Sequence, residues 1–182
     1  MPAGWRDEVD RILITQEQLA RRIRSLSREL EKDYKHRELV IVSLLNGTVM
    51  FLADLIRHIS LPLRLDFIGV SSYGAGTESG NLVFTKELRL DVKGRDVLLV
   101  DDILDTGRTL AAVAGLIKDK GALSVKTCVL LDKKARRAVP FEADYVGFGI
   151  PNEFVVGYGL DFNERYRNLP CIGVLKPKYY AA

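Results

Sequence analysis

The densest chemistry in the chain lies in VLLVDDILDTGRTL, Val97 to Leu110. The apolar residues up to Val100 read as a buried strand, and Asp101, Asp102 and Asp105 follow at its end, with Thr106, Gly107 and Thr109 close behind. A helix that begins near Asp105 to Thr109 leaves unpaired backbone N–H groups there, and with two hydroxyls they make a cradle for a phosphate monoester. Gly107 removes the side chain that would block close approach. Acids beside a phosphate cradle call for a ligand that also carries hydroxyls and a cation. A phosphorylated ribose with magnesium meets both demands: the carboxylates accept from the 2- and 3-hydroxyls or reach the cation through water, and the amides hold the 5-phosphate. The competing account is that the acids merely cap the following helix, worth roughly 0.3–1 kcal/mol. The run is neither a Walker loop nor a dinucleotide fingerprint, since GxxxxGK and GxGxxG are both absent.

The elements that must position these residues follow from periodicity. Thr15 and Gln18 fit a capping box, and Leu19, Ile23, Leu26 and Leu30 then recur on one helical face. LVIVSLL, Leu39 to Leu45, is an apolar run of strand length that ends in Asn46-Gly47, and a helical pattern starts at Val49. LRLDFIGVSSY, Leu63 to Tyr73, reads as a strand, then the Gly- and Ser-containing GAGTESGN as a loop, then LVFTKEL as a short strand. Asp96 to Val100 is a buried strand, a helix runs through LAAVAGLIKDK to a stop at Gly121, and SVKTCVLL is a further strand. Such alternation, with strands apolar on both faces, predicts an α/β fold with a mostly parallel sheet covered by helices. Ligands of such sheets sit beyond the carboxyl ends of the strands.

Composition narrows the function classes. The 182 residues are 47% hydrophobic and 28% charged, enough for one domain with a full core, and no period of 20 to 50 residues repeats. Apolar runs fall far short of the roughly 20 residues of a bilayer-spanning helix, and the acidic residues near the start do not suit a secretion signal. We expect a cytoplasmic protein with no membrane partner. Cys128 and Cys171 read as small buried hydrophobes, and His36 and His58 are too isolated for a zinc site or a Ser-His-Asp triad. A net charge of +3 suits small anionic ligands better than a nucleic acid.

VLLVDDILDTGRTL resembles the phosphoribosyl-pyrophosphate (PRPP) binding motif of type I phosphoribosyltransferases, and within them the hypoxanthine-guanine phosphoribosyltransferases. SSYG at Ser71 to Gly74 is similar to the start of the family's flexible loop, LLDKKARR at Leu130 to Arg137 to its purine-recognition segment, and Pro151 to Pro170 to its C-terminal hood. The resemblance implies the type I phosphoribosyltransferase fold over the whole chain. Its core would span about 15–150 and its hood would join the N-terminal segment to about 151–182. It implies transfer of phosphoribose from PRPP to hypoxanthine and guanine, giving IMP, GMP and pyrophosphate, with Mg2+ as cofactor and a homodimer or homotetramer as the assembly.

By the same resemblance, Asp101 and Asp102 bind the ribose hydroxyls directly or through metal-bound water, and Asp105 exchanges a proton with purine N7. Thr106, Gly107, Arg108 and Thr109 complete the phosphate loop. Lys133 donates to the 6-oxo group, Phe154 stacks on the base, and the Val155 carbonyl accepts from it. Asp161 holds magnesium, Arg167 the pyrophosphate, and Ser72 and Tyr73 open a loop that closes over the site through Asn81. Leu45, Asn46 and Gly47 fall at the pyrophosphate loop, where the family places a basic residue and a non-proline cis peptide; neutral Asn46 implies weaker binding. Asp101 stands where glutamate is frequent, one methylene shorter.

Lys133 also makes sense on its own, because an ammonium at a strand end meets a carbonyl well and a 6-amino group poorly, which predicts rejection of adenine. Its neighbours Lys134, Arg136 and Arg137 read as a solvated basic face. The competing function is a sensor of PRPP or nucleotide that regulates through nucleic acid, a reading that the mild charge and the pairing of Asp105 with Lys133 oppose.

Overall fold

The computed structural model describes residues 3–72 and 82–181. Val9–Ile14 is β1, Gln16–Asp33 α1, Leu39–Leu45 β2, Val49–Arg57 α2 and Leu63–Ser72 β3. Leu82–Lys86 is β4, Asp96–Leu104 β5, Arg108–Asp119 α3, Ser124–Asp132 β6 and Tyr145–Gly149 β7, and Val155–Val156 and Ile172–Leu175 are β8 and β9. Six strands form one sheet in the order β4-β3-β2-β5-β6-β7, with only β4 antiparallel to its neighbour. The non-sequential order follows from the crossovers that parallel strands require; α2 lies in the β2–β3 connection and α3 in the β5–β6 connection, whereas β6 reaches β7 through a single short turn of helix at Lys134–Arg136.

Strand periodicity explains how that sheet is filled on both sides. In β2, Leu39 and Ile41 pack with Ile23, Leu26 and Leu30 of α1 and Phe51 and Leu55 of α2, whereas Val40 and Val42 pack with Leu110, Val113 and Ile117 of α3. The same alternation separates Leu98 and Val100 from Val97 and Leu99 in β5. Helix α1 begins as its sequence predicts: the Thr15 side chain accepts from the Gln18 amide, and the Gln18 side chain accepts from the Thr15 amide at 2.8 Å. His58 caps α2, and His36 sits in the turn after α1 at a φ of 66°. Both cysteines are buried and unpaired.

A second sheet, β1-β9-β8, joins the two ends of the chain. Val9 pairs with Leu175 and Ile14 with Ile172, and Val156, Tyr166 and Leu169 fill the cluster beneath. This sheet stands over the carboxyl end of β5. The 157–160 segment abuts the turn after β2, so closely that a Cβ at Gly159 would overlap the Gly47 carbonyl.

Candidate active site

The acids are delivered by a strand longer than its apolar core. β5 continues past Val100 because Asp101 pairs with Val129, and Leu104 with Asp132, on β6. Asp101 and Asp102 therefore stand on the last turns of the ladder rather than in a loop. Helix α3 starts at Arg108, and its N-cap is Gly107 at a φ of 83°, with no side-chain capping bond. The Arg108 amide donates to the Thr106 hydroxyl at 3.4 Å, and Asp105 Oδ1 has no partner, so Asp105 does not cap the helix through that oxygen. Arg108 is exposed at the helix start.

Two adjoining cavities open here. The larger, about 340 Å3, is lined by Leu45, Gly47, Asp101, Asp102 and the Asp105–Gly107 turn with Thr109. The smaller, about 240 Å3, is lined by Lys133, Phe154, Val155 and Asp161. Asp102, Ile103 and Asp105 border both. The two oxygens of Asp105 are in different surroundings: Oδ2 lies 3.4 Å from Arg136 Nη1, and Oδ1 is buried without a hydrogen-bond partner. A buried carboxylate oxygen without a partner, on a residue that borders both cavities, is an acceptor in want of a donor.

Electrostatics divide the site by role. Burial pushes the Asp101 carboxyl well above the usual carboxylate range, and the neighbouring Asp102 charge adds to that rise. Asp102 is raised too, chiefly by burial, and hydrogen bonding to Asp101 and backbone amides, together with the Arg167 charge, pull it back. Two crowded acids of this kind favour a cation or hydroxyl donors. Lys133, only 6% exposed, is lowered by burial; the Asp105 charge opposes that shift and Arg136 adds to it.

The remaining expected residues are placed as follows. The Leu45–Asn46 peptide is cis. Asn46 is exposed, while a Cβ on Gly47 would overlap the Asp102 carboxylate. Phe154 stacks on Tyr180 with ring centroids 4.6 Å apart and meets Phe162 edge-on at 5.6 Å. Arg167 is gathered into the cap over the site, its Nη1 3.0 Å from Asp161 Oδ1 and 2.8 Å from the Gly159 carbonyl. Ser72 ends β3, and Tyr73 and the loop through Asn81 lie outside the described residues. Among the described residues no group of three or more His, Cys, Asp or Glu side chains is arranged to hold a metal alone.

One expectation is corrected. Arg137 is not part of a solvated face: its side chain is 13% exposed and pairs with Asp132, itself 2% exposed. Lys134 and Arg136 are exposed as expected. Nothing in the local composition separates Arg137 from them; its burial depends on the β5–β6 register that brings Asp132 opposite Leu104. Tyr180 was likewise not visible from spacing, because it reaches Phe154 only through the pairing of β8 with β9.

An α/β sheet with paired acids and an amide-lined turn at the carboxyl end of a central strand defines a phosphate-ester binding enzyme class, and the comparisons name it. The chain belongs to the phosphoribosyl transferase domain family, whose model matches residues 9–163. It is similar to the hypoxanthine-guanine phosphoribosyltransferase of Streptococcus thermophilus, at 45% identity over 95% of this chain and 97% of that protein. In structure it is similar to a hypoxanthine phosphoribosyltransferase from Staphylococcus aureus, at 44% identity and a TM-score of 0.95 over the whole of both chains. It is also 51% identical, over 96% of its length, to the Listeria innocua bifunctional protein TilS/HprT, of which it spans 27%.

Proposed function

We propose that the chain transfers the 5-phosphoribosyl group of PRPP to hypoxanthine and guanine, forming IMP or GMP and releasing pyrophosphate in purine salvage. The observation that carries this reading is Asp105, which borders both adjoining cavities and whose Oδ1 has no hydrogen-bond partner. The 5-phosphate occupies the turn of Asp105 to Thr109. The ribose hydroxyls donate to Asp101 and Asp102, for which any donor relieves a crowded pair. The purine lies against Phe154, whose other face Tyr180 supports, with its 6-oxo group at Lys133 and an acceptor in the Val155 carbonyl. As the anomeric bond lengthens, the ring oxygen shares the positive charge, and Asp105 takes the proton released from N7.

Asp161 directly, and Asp101 and Asp102 through water, would hold magnesium, which would supply charge neutralisation for the departing pyrophosphate. Arg167, at Asp161, and the Leu45–Gly47 turn face the same leaving group, and Asn46 contributes no charge there. The three-stranded sheet serves as the hood over the core. A homodimer or homotetramer in the cytoplasm, where its thiols stay reduced, completes the proposal.

The test is an absorbance assay with PRPP, Mg2+ and each of hypoxanthine, guanine, xanthine and adenine. The proposal expects turnover of hypoxanthine and guanine with adenine left unused. Adenine consumed as fast as hypoxanthine would overturn it.

A further inference from the structure

The segment after Lys133 folds back along the end of β5 and holds three consecutive carbonyls. Leu104 O accepts from the Lys133 amide at 2.9 Å and from Arg137 Nη1 at 3.2 Å. Asp105 O accepts from Arg137 Nη1 at 2.6 Å, and Thr106 O from the Ala138 amide at 2.9 Å. In a trans peptide the N–H points away from the C=O, so fixing these carbonyls on one side turns the amides of Asp105, Thr106 and Gly107 to the other. Those amides donate to no protein acceptor among the described residues, and they lie along the larger cavity. The positive φ of Gly107 gives the succession of N–H groups the concave form that binds anions.

Arg137 is built in rather than draped over this turn. Its Nη2 pairs with buried Asp132, its Nε is buried without a partner, and its Cδ would sit 3.2 Å from a Cβ on Gly107. Asp132 immediately precedes Lys133, so the guanidinium bridges the strand that carries the base-facing lysine and the turn that carries the phosphate-facing amides.

We propose that Arg137 is a positioning residue: anchored on Asp132, it holds the Leu104 and Asp105 carbonyls so that the Asp105–Gly107 amides face the 5-phosphate of the phosphoribosyl ligand. The inference rests on the phosphoribosyltransferase reading and adds a residue that never touches substrate. Lysine cannot replace it, because one ammonium does not span a carboxylate and two carbonyls as a planar fork does.

The test compares the unaltered chain with Arg137→Lys, Arg137→Gln and the double variant Arg137→Gln/Asp132→Asn, which removes the carboxylate that the single glutamine variant strands. Calorimetry with ribose 5-phosphate reads the cradle directly. We expect binding weakened about tenfold or more in Arg137→Lys and in the double variant. KM for PRPP should rise in step while KM for hypoxanthine stays within about twofold. The double variant should regain melting temperature lost by Arg137→Gln without regaining ribose 5-phosphate affinity. Unaltered ribose 5-phosphate binding in a folded variant, equal loss toward both substrates, or no ribose 5-phosphate binding by the unaltered chain would overturn the proposal. Calorimetry needs no turnover, so an unaltered chain that binds ribose 5-phosphate but transfers nothing would count against the function and not against Arg137.

Discussion

Lys133 is a nearly enclosed ammonium that burial makes easier to deprotonate, with Asp105 supporting its charge from one side. The charge-assisted donation to the purine that we propose for it should therefore be lost as pH rises through a value below that of an ordinary lysine. KM for hypoxanthine should climb on the alkaline side earlier than free lysine titrates, and Lys133→Gln should remove that limb. The same replacement should raise KM for hypoxanthine about tenfold or more and admit some adenine, because an amide side chain can accept as well as donate. Asp101 carries the opposite lesson. With its pKa raised in the folded chain, the folded state holds more protons than the unfolded one just above the ordinary carboxylate range, and stability falls as pH rises through that raised value. Asp101→Asn should relieve the crowding at neutral pH, raising the melting temperature by about 2–4 °C, the shift that ~1 kcal/mol gives in a chain of this size, while lowering transfer.

Among the elements, the start and buried face of α1 were legible, because its capping box and apolar stripe are local. Thr15→Ala should cost about 1 kcal/mol and leave KM for both substrates unchanged in steady-state kinetics. The end of β5 was only partly legible: its apolar run stops at Val100, but pairing with β6 carries the strand to Leu104, and that pairing is non-local. β1, β8 and β9 are short and join distant ends of the chain, so no periodicity of their own announces them. Asp66 shows how a single buried acid secures an element. Burial opposes its ionisation, but the amides of Leu90, Phe67 and Arg89 and the Lys86 ammonium prevail and hold its pKa down at about 2. It thereby ties β3 to β4 and the turn beyond. Because that pKa is depressed, the stability it contributes is complete above the ordinary range of about 4 and is lost as pH falls toward 2. Asp66→Asn should flatten the acid limb of a urea-monitored stability profile.

At the scale of the molecule, the parallel sheet brings one acid-bearing strand end to the middle of the fold, and the joined chain ends roof it. The motifs at Val97 to Leu110, Leu130 to Arg137 and Pro151 to Pro170 contribute residues to the two adjoining cavities because β5 and β6 lie side by side in the sheet while the 157–160 segment closes on the turn after β2. What spacing could not display was the clamp of Arg137 on Asp132 and the support of Phe154 by Tyr180, both set by contacts between elements. In the proposed reaction Asp105 takes the purine proton while its neighbours grip the sugar phosphate. The direct measurement is the pH profile of kcat for hypoxanthine transfer, with KM for PRPP alongside, in the unaltered chain and in Asp105→Asn. The asparagine variant should lose about 10²–10⁴ in kcat with KM for PRPP little changed. An asparagine variant that forms IMP at the unaltered rate across the profile would contradict that role for Asp105.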